Sequence, residues 1–510
     1  MKQSMRSRQE PRRVSNGVII AAMLLSLCVL SIVKARYCST PFVKPDDQLQ
    51  EQMNSSIRME TDEPATMAAG GSSSPSLALR IVCDWCSTSA SLNLQSKRRT
   101  RRRRGSGGGG AEPEVSATPA VVVTAAAGGG GGKRKPTCRM TSKRSERCEA
   151  RGDIRVEGNA STIYIGGIDK EWKTKPYARY HDPVAMAVVR EFTLKPVTES
   201  SPACTRNHSV PAFVFSNGGF SGNLYHDYTD VLVPLFLSTH QFKGQVQFLL
   251  SGLKPWWVNK FNLFFRQLTK YDILDIDNDK DVHCFPRIVV GATFHKDMGV
   301  DPKRSPGHVS VVDFKRALRR AFGLERVAAS RGGATGNGKP RLLIISRKNS
   351  RRFLNEREMA QAAAAVGFEV RIAEPDQHTD MSTFAQLVNS ADVMIGVHGA
   401  GLTNMVFLPR GAVLIQVVPF GGLEWLTTVT FKNPAKDMEV TYMDYNVQLE
   451  ESSLIDQYPR NHQVLTDPYA VHKQGWDALK TAYLDKQNIK MDMDRFKKTL
   501  QEALDRLPPA

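Results

Sequence analysis

The stretch Ala391-Asp-Val-Met-Ile-Gly-Val-His-Gly-Ala-Gly-Leu-Thr-Asn-Met-Val-Phe-Leu-Pro-Arg-Gly-Ala-Val-Leu-Ile-Gln-Val-Val-Pro-Phe-Gly-Gly-Leu-Glu424 decides how this chain is read. Asp392 to Val397 is a short apolar run of strand formers that breaks into His398-Gly-Ala-Gly401. Leu402 to Leu408 then has the spacing of a short helix. Pro409-Arg-Gly411 turns the chain into a second buried strand, Ala412 to Val418. A glycine-rich turn between strand and helix leaves backbone N–H groups unpaired beside the positive helix end, where phosphate can sit. The other reading is an ordinary tight turn whose glycines permit close packing.

Working outward, the same alternation recurs. Arg341 to Ser346 reads as a strand ending in Arg347-Lys-Asn-Ser-Arg-Arg352. Asn355 caps a helix that Gly367 ends, Phe368 to Ile372 is a strand, and Ser382 to Asn389 is a helix leading into Val393. Upstream, Ala212 to Phe215 is a strand followed by the glycine turn Ser216 to Asn223, a helix from Leu224 to Phe236, a strand from Gln245 to Leu250 and a helix from Trp256 to Leu268. The fold class expected is α/β, with two Rossmann-like halves facing a cleft. Ala328 to Gly338 is a loop of the second half, and the halves meet near residues 295–310.

The chain has 510 residues and a formal net charge of +18, unevenly spread. Residues 1–150 hold 24 basic and 12 acidic side chains, and the other 360 hold 45 and 39. A nearly balanced folded part argues against nucleic acid as a partner. Gly17 to Val33 is free of charge, with five basic residues before it. It is expected to be a retained membrane anchor, with residues 1–16 cytosolic and everything after Val33 lumenal; a cleaved signal peptide is the rival. Residues 34–136, with their glycine runs and Lys97-Arg-Arg-Thr-Arg-Arg-Arg-Arg104, read as a disordered stem. Sequons at Asn54, Asn159 and Asn207 agree with a lumenal chain. Cys138 is expected to pair with Cys148 and Cys204 with Cys284, although spacing alone does not fix connectivity. Cys83-Asp-Trp-Cys86 lies in low-complexity sequence, with no second cysteine or histidine pair beside it, and is read as incidental.

Several long motifs carry a resemblance. Val397 to Asn404 with Leu408-Pro-Arg-Gly411, Ser346-Arg347 with Arg351 to Asn355, Gly218 to Asp227, Cys148 to Asp153, and Tyr483 to Asn488 are similar to plant glycosyltransferase family 61. That family includes xylan arabinosyltransferases and xylosyltransferases of the Golgi. The resemblance runs from about Thr137 to the C-terminus. It implies a GT-B fold, with an acceptor domain at 137–300 and a nucleotide-sugar domain at 301–510. It also implies inverting transfer of a pentose, xylose or arabinofuranose, from a UDP-sugar to a cell-wall polysaccharide. The implied setting is the Golgi membrane, single-pass with the catalytic part lumenal, where a Golgi enzyme complex is a further partner. No obligatory metal or other cofactor is expected. Thr427-Thr-Val-Thr-Phe-Lys432 departs from the family in its β-branched character.

Inverting transfer needs a base for the acceptor hydroxyl and stabilisation of the departing diphosphate. His226, with Asp230 one turn on, is the expected base, and Asp227 is its rival. The expected nucleotide-sugar seat is Ser346, Arg347, His398, Gly399, Ala400, Gly401, Asn404 and Glu424, with Glu424 toward the ribose or sugar. Three other functions compete. Asp275-Ile-Asp-Asn-Asp-Lys-Asp281 suggests a metal-dependent GT-A transferase, but is read as an acidic turn. A non-catalytic polysaccharide-binding or scaffold protein is the second. A nicotinamide oxidoreductase, the third, lacks its third glycine here.

Overall fold

The computed structural model describes residues 137–333, 338–376 and 379–509, which belong to one compact unit. The segments read as tail, anchor and stem lie outside the described residues, as do Asn54 and the cysteines at 28, 38, 83 and 86. Among the described residues no helix is long and apolar enough to cross a membrane.

Among the described residues, fifteen strands form two sheets in a mixed α/β arrangement. The first sheet opens with β1 (Thr137–Ser142), β2 (Ser145–Glu157), β3 (Thr162–Ile165), β4 (Trp172–Thr174) and β5 (Phe192–Pro196). It continues through β6 (Arg206–Asn207), β7 (Ala212–Ser216), β8 (Gln247–Ser251), β9 (Leu274–Asp275) and β10 (Val282–Val290). Its spatial order is β4-β5-β3-β2-β10-β7-β8-β9. The run β10-β7-β8-β9 is parallel, the doubly wound part. The remainder is largely an antiparallel extension that the residue pattern did not announce, because its edge strand β1 has no buried residue and carries no clean alternation. Disulfides join Cys138 to Cys148 across β1 and β2, and Cys204 to Cys284 at β10.

The second sheet is wholly parallel: β11 (Arg341–Ile345), β12 (Glu369–Ala373), β13 (Val393–Val397), β14 (Val413–Val418) and β15 (Thr441–Asn446), in the order β12-β11-β13-β14-β15. Its central strands β13 and β14 are buried along their whole length, as a sheet covered on both faces requires. The strand before His398 begins at Val393 rather than Asp392. The Asp392 carboxylate is used instead as a knot: it accepts from the N–H groups of Ser330 and Arg341 and pairs with Arg326.

Helix α1 (224–239) follows β7 and differs from a plain helix. α-Helical turns at Leu224–His226 and Val233–Thr239 flank a π-helical stretch, Asp227–Leu232. All six π-helical side chains are buried, and such widened turns often mark functional sites. Helix α2 (Pro255–Leu268) follows β8 and buries Trp257, Phe261, Phe264, Phe265 and Leu268 on one face. Helix α3 (Val311–Phe322) starts at a Ser310–Asp313 capping box and connects the two sheets. One apolar core spans both halves. Tyr228 of α1 makes edge contacts with Phe314 of α3 and with Phe407 beyond β13, at centroid distances of 6.1 and 6.3 Å.

Candidate functional site

In a doubly wound sheet, ligands bind beyond the carboxyl ends of the strands, where the strand order reverses. The second sheet reverses between β11 and β13. The segments leaving those two strands are Ser346 to Arg352 and His398 to Gly401. The first sheet reverses between β7 and β10, and β7 feeds the glycine turn ahead of His226. A cleft of about 560 Å³ is lined from the first half by Gly222, Asn223, Leu224 and Lys260, and from the second by residues including Ser346, Arg347, Ala400, Gly401 and Asn404. His226, His398 and Glu424 do not line that cavity.

The seat after β13 differs from the helix end that the sequence suggests. Ala400–Phe407 is a 3-10 helix, and its first turn starts two residues earlier than expected. Gly399 has a φ of 148°. A methyl group added there would lie 2.7 Å from Nη1 of Arg347 and 3.2 Å from Nη1 of Arg351. Glycine is favoured here by that positive φ, and its missing side chain lets two guanidinium groups approach this backbone. Side chains, more than backbone N–H groups, supply the positive charge here.

These two arginines are the main electrostatic feature. Arg347 donates Nε to the Ser350 carbonyl at 2.9 Å, and Arg351 donates Nη1 to the His398 carbonyl at 3.0 Å. Among the described ion pairs neither arginine has a carboxylate partner, and Nε of Arg351 is buried with no partner of its own. Burial, together with the charge of Arg347, lowers the Arg351 pKa to about 10; burial also lowers that of Arg347. Two desolvated cations side by side are costly unless an anion joins them. Sequence reasoning assigned Arg347 and missed Arg351. The signal was the arginine pair Arg351-Arg352 that closes Arg347-Lys-Asn-Ser-Arg-Arg352, a cationic run with no acidic residue in it.

His398 is 6% exposed, and burial with the two arginines lowers its pKa to about 3. It is therefore neutral. Its Nδ1 lies 2.7 Å from Nε2 of Gln416, whose Oε1 accepts from the Tyr442 hydroxyl at 2.8 Å. Because Gln416 donates to Nδ1, the His398 proton is on Nε2, which makes the ring a donor. Asn404 donates to the Gly401 carbonyl at 2.9 Å, and its Oδ1 is buried without a partner. Ser346 is engaged with Glu356 at 2.5 Å. Glu424 is exposed at the start of a short helix, Glu424–Thr427. The β-branched run after it is helical with a π turn, Thr428–Lys432, and Thr427 and Thr430 return their hydroxyls to the Glu424 and Leu426 carbonyls.

The late motif Tyr483 to Asn488 acts as a strut. The Gln487 side chain accepts from the Phe420 N–H and donates to the Phe420 carbonyl, both at 2.9 Å. Its own carbonyl accepts from the Arg351 N–H at 2.8 Å. One fully buried residue thus fixes the arginine loop against the loop after β14.

Across the cleft, Nδ1 of His226 lies 2.9 Å from Oδ2 of Asp230. Asp230 is buried and also accepts from Arg144 at 2.8 Å and from the Tyr177 hydroxyl at 3.1 Å. Burial opposes its charge, but His226, Arg179 and Arg144 together hold its carboxyl below the usual range. Nδ1 of His226 also lies 3.2 Å from Nη1 of Arg179; in the tautomer whose Nδ1–H donates to the Asp230 carboxylate, the lone pair of His226 lies on Nε2. Asp227 has a different setting. It is fully buried, and its Oδ1 accepts from the Gly222 N–H at 3.0 Å and Trp257 Nε1 at 2.8 Å. Burial raises its pKa to about 6. Asp227 fastens the glycine turn to α2 while His226 remains partly exposed.

Asp279, Asp281 and His283 bring ligand-type atoms within 4.8 Å of one another, away from this cleft. Asp281 is already held by Arg206 and Thr205, and Asp279 by His283. The sequons at Asn159 and Asn207 are exposed.

Residues 224–415 match the family description Glycosyltransferase 61. A beta-1,2-xylosyltransferase of Oryza sativa subsp. japonica is 41% identical over 389 residues, covering 72% of this chain and 83% of the relative. The chain belongs to glycosyltransferase family 61. A xylan glycosyltransferase of Arabidopsis thaliana is 33% identical over 391 residues, covering 72% of this family 61 chain and 78% of its own length. An alpha-1,3-arabinosyltransferase of Oryza sativa subsp. japonica is 44% identical over 379 residues, covering 73% and 65%. The chain thus spans a little under two thirds of that arabinosyltransferase.

Proposed function

We propose that this family 61 chain is an inverting pentosyltransferase of GT-B type that moves xylose or arabinofuranose from a UDP-sugar to a xylan backbone in the Golgi lumen. One observation carries the reading: Arg347 and Arg351 lie buried side by side with no carboxylate in ion-pair contact, Asp485 acting on Arg351 only at longer range, at the switch point of a parallel sheet that faces the parallel run of a second sheet across a cleft. A diphosphate is the anion that two adjacent guanidinium forks suit. The sugar class is supported by the relatives, which carry the names arabinosyltransferase, xylosyltransferase and xylan glycosyltransferase.

In this reading Nε2 of His226 takes the proton of the acceptor hydroxyl as its oxygen bonds to the sugar C1. The bond from C1 to the β-phosphate oxygen breaks, and UDP leaves with the electron pair. Asp230 stabilises the imidazolium; Arg347, Arg351 and the Nε2 proton of His398 meet the developing phosphate charge. No obligatory metal is invoked, because the two guanidinium groups supply the positive charge.

The test is a panel of UDP-sugars with xylo-oligosaccharides, run with and without excess chelator, with the product anomer read by NMR. Transfer of one pentose with inverted configuration, unaffected by chelator, is expected. Binding of xylan without any transfer would support the scaffold reading instead, and loss of activity in chelator would support a metal-dependent transferase.

A further inference from the structure

The sequence Pro255-Trp-Trp-Val258 opens α2, and its two tryptophans have opposite fates. Trp257 is fully buried, with its indole N–H held by Asp227. Trp256 beside it is 45% exposed. The same Asp227 oxygen that holds Trp257 also accepts from the Gly222 N–H, so the exposed ring is fixed relative to the glycine turn. A second tie, from Lys254 Nζ to Ser221 Oγ at 2.8 Å, fastens the start of the helix to that turn. Gly222 has a φ of 102°, and a methyl group built on it would lie 3.2 Å from Cη2 of Trp256. Gly222 lines the cleft, as does Lys260, one helical turn beyond Trp256 on the same face.

We infer that Trp256 is a stacking platform for the acceptor chain, holding a pyranose ring of a β-1,4-linked pentose polymer at the rim of the cleft. Exposed aromatic rings occur elsewhere on this surface, Trp172 and Trp476 among them; Trp256 is set apart by lying against Gly222 of the cleft wall. A pyranose ring turns a face of C–H groups to an aromatic plane, and a xylopyranose carries no exocyclic CH₂OH to obstruct that approach. The platform is continuous with the wall that bears Gly222, Asn223 and Leu224, so a chain lying on Trp256 runs into the cleft. Lys260 stands at the inner end to donate to hydroxyl groups. This inference rests on the acceptor class proposed above.

The test compares wild type with Trp256→Ala and Trp256→Phe, using xylotriose and xylohexaose as acceptors. Loss of roughly 50–60 Å² of apolar contact raises KM for the hexaose about tenfold in Trp256→Ala, with a much smaller fall in kcat. Trp256→Phe recovers most of the loss, and the triose, too short to span platform and cleft, responds less. UDP affinity by calorimetry stays at the wild-type value and reports an intact fold. Hexaose binding without donor reads the platform independently of catalysis. If wild type transfers nothing but binds hexaose more tightly than Trp256→Ala, the proposed function fails while the platform stands. Equal KM and equal hexaose affinity in the two proteins, or no hexaose binding by wild type, overturns it.

Discussion

Replacing Arg351 by methionine should move ligand affinity and fold stability in opposite directions. The side chain is held as a cation in a buried site that lowers its pKa from 12.5 to about 10, through burial first and then Arg347. That difference corresponds to about 3 kcal/mol of cost to the unliganded fold at neutral pH. The sign follows from proton binding. A base with a depressed folded pKa disfavours folding while the pH is below about 10, and the cost is relieved as pH rises from there toward 12.5. Arg351→Met removes this cost and forfeits one charge-assisted hydrogen bond, to the His398 carbonyl, worth about 1.5–3 kcal/mol. The unliganded variant should therefore resist denaturant at least as well as wild type, by up to about 1.5 kcal/mol more. Its affinity for UDP should fall by about 10- to 150-fold, because one charge-assisted contact of about 1.5–3 kcal/mol is gone. Urea melts with and without UDP, together with calorimetry, measure both quantities. Wild-type UDP affinity in the variant would refute the anion site. Weaker affinity accompanied by lower unliganded stability would mean that Arg351 braces the loop and is not held at a cost for the ligand.

Other expectations follow from the same geometry. His226→Ala should lower transfer by about 10²–10⁴-fold while UDP affinity stays near wild type, since the base acts on the acceptor hydroxyl; full activity would remove His226 from the mechanism. Asp227 has a folded pKa raised to about 6, so its contribution is fully present below the unfolded value of 3.8 and lost as pH rises through about 6. Asp227→Asn keeps the acceptor toward Gly222 and Trp257 and should flatten the pH dependence of denaturant stability between about 4 and 6; an unchanged slope in that window would contradict the assignment. Gln487→Leu should weaken UDP binding without touching the nucleotide, because it frees the Arg351 loop from the Phe420 loop. Arg351 amide hydrogen exchange in that variant should rise, and unchanged protection would show that the strut is dispensable.

Strand and helix positions around the cleft were legible because buried parallel strands are uninterrupted apolar runs bounded by glycine. Ala212–Ser216, Arg341–Ile345 and Val413–Val418 fall within two residues of their expected bounds. Sheet order was not legible, since alternation of strand and helix does not say which strands become neighbours. The antiparallel extension was missed for a related reason. Its β1 earns its place by pairing with β2 and through the Cys138–Cys148 bond, not through a buried face. At the candidate site, the histidine and carboxylate at 226 and 230 could be read from helical spacing. Arg351 could not, because its importance comes from a partner, Arg347, brought alongside by a loop with a positive φ at Arg351 itself. Which of His226 and Asp227 is accessible was equally hidden, for the widened helical turn buries one neighbour and leaves the other partly open.

The core shared by the two halves has a kinetic consequence. Swinging the sheets apart would uncover Tyr228, Phe314 and Phe407, at about 1.5–3 kcal/mol each. An open form would then amount to roughly one molecule in a thousand or fewer. On the proposed function, donor and product are expected to exchange through the existing cleft lined by Lys260 and Arg347, with no wide opening of the two sheets. UDP leaving past Arg347 and Arg351 is then expected to be the slow event of each cycle, and UDP to compete with the next donor, which product-inhibition kinetics would check.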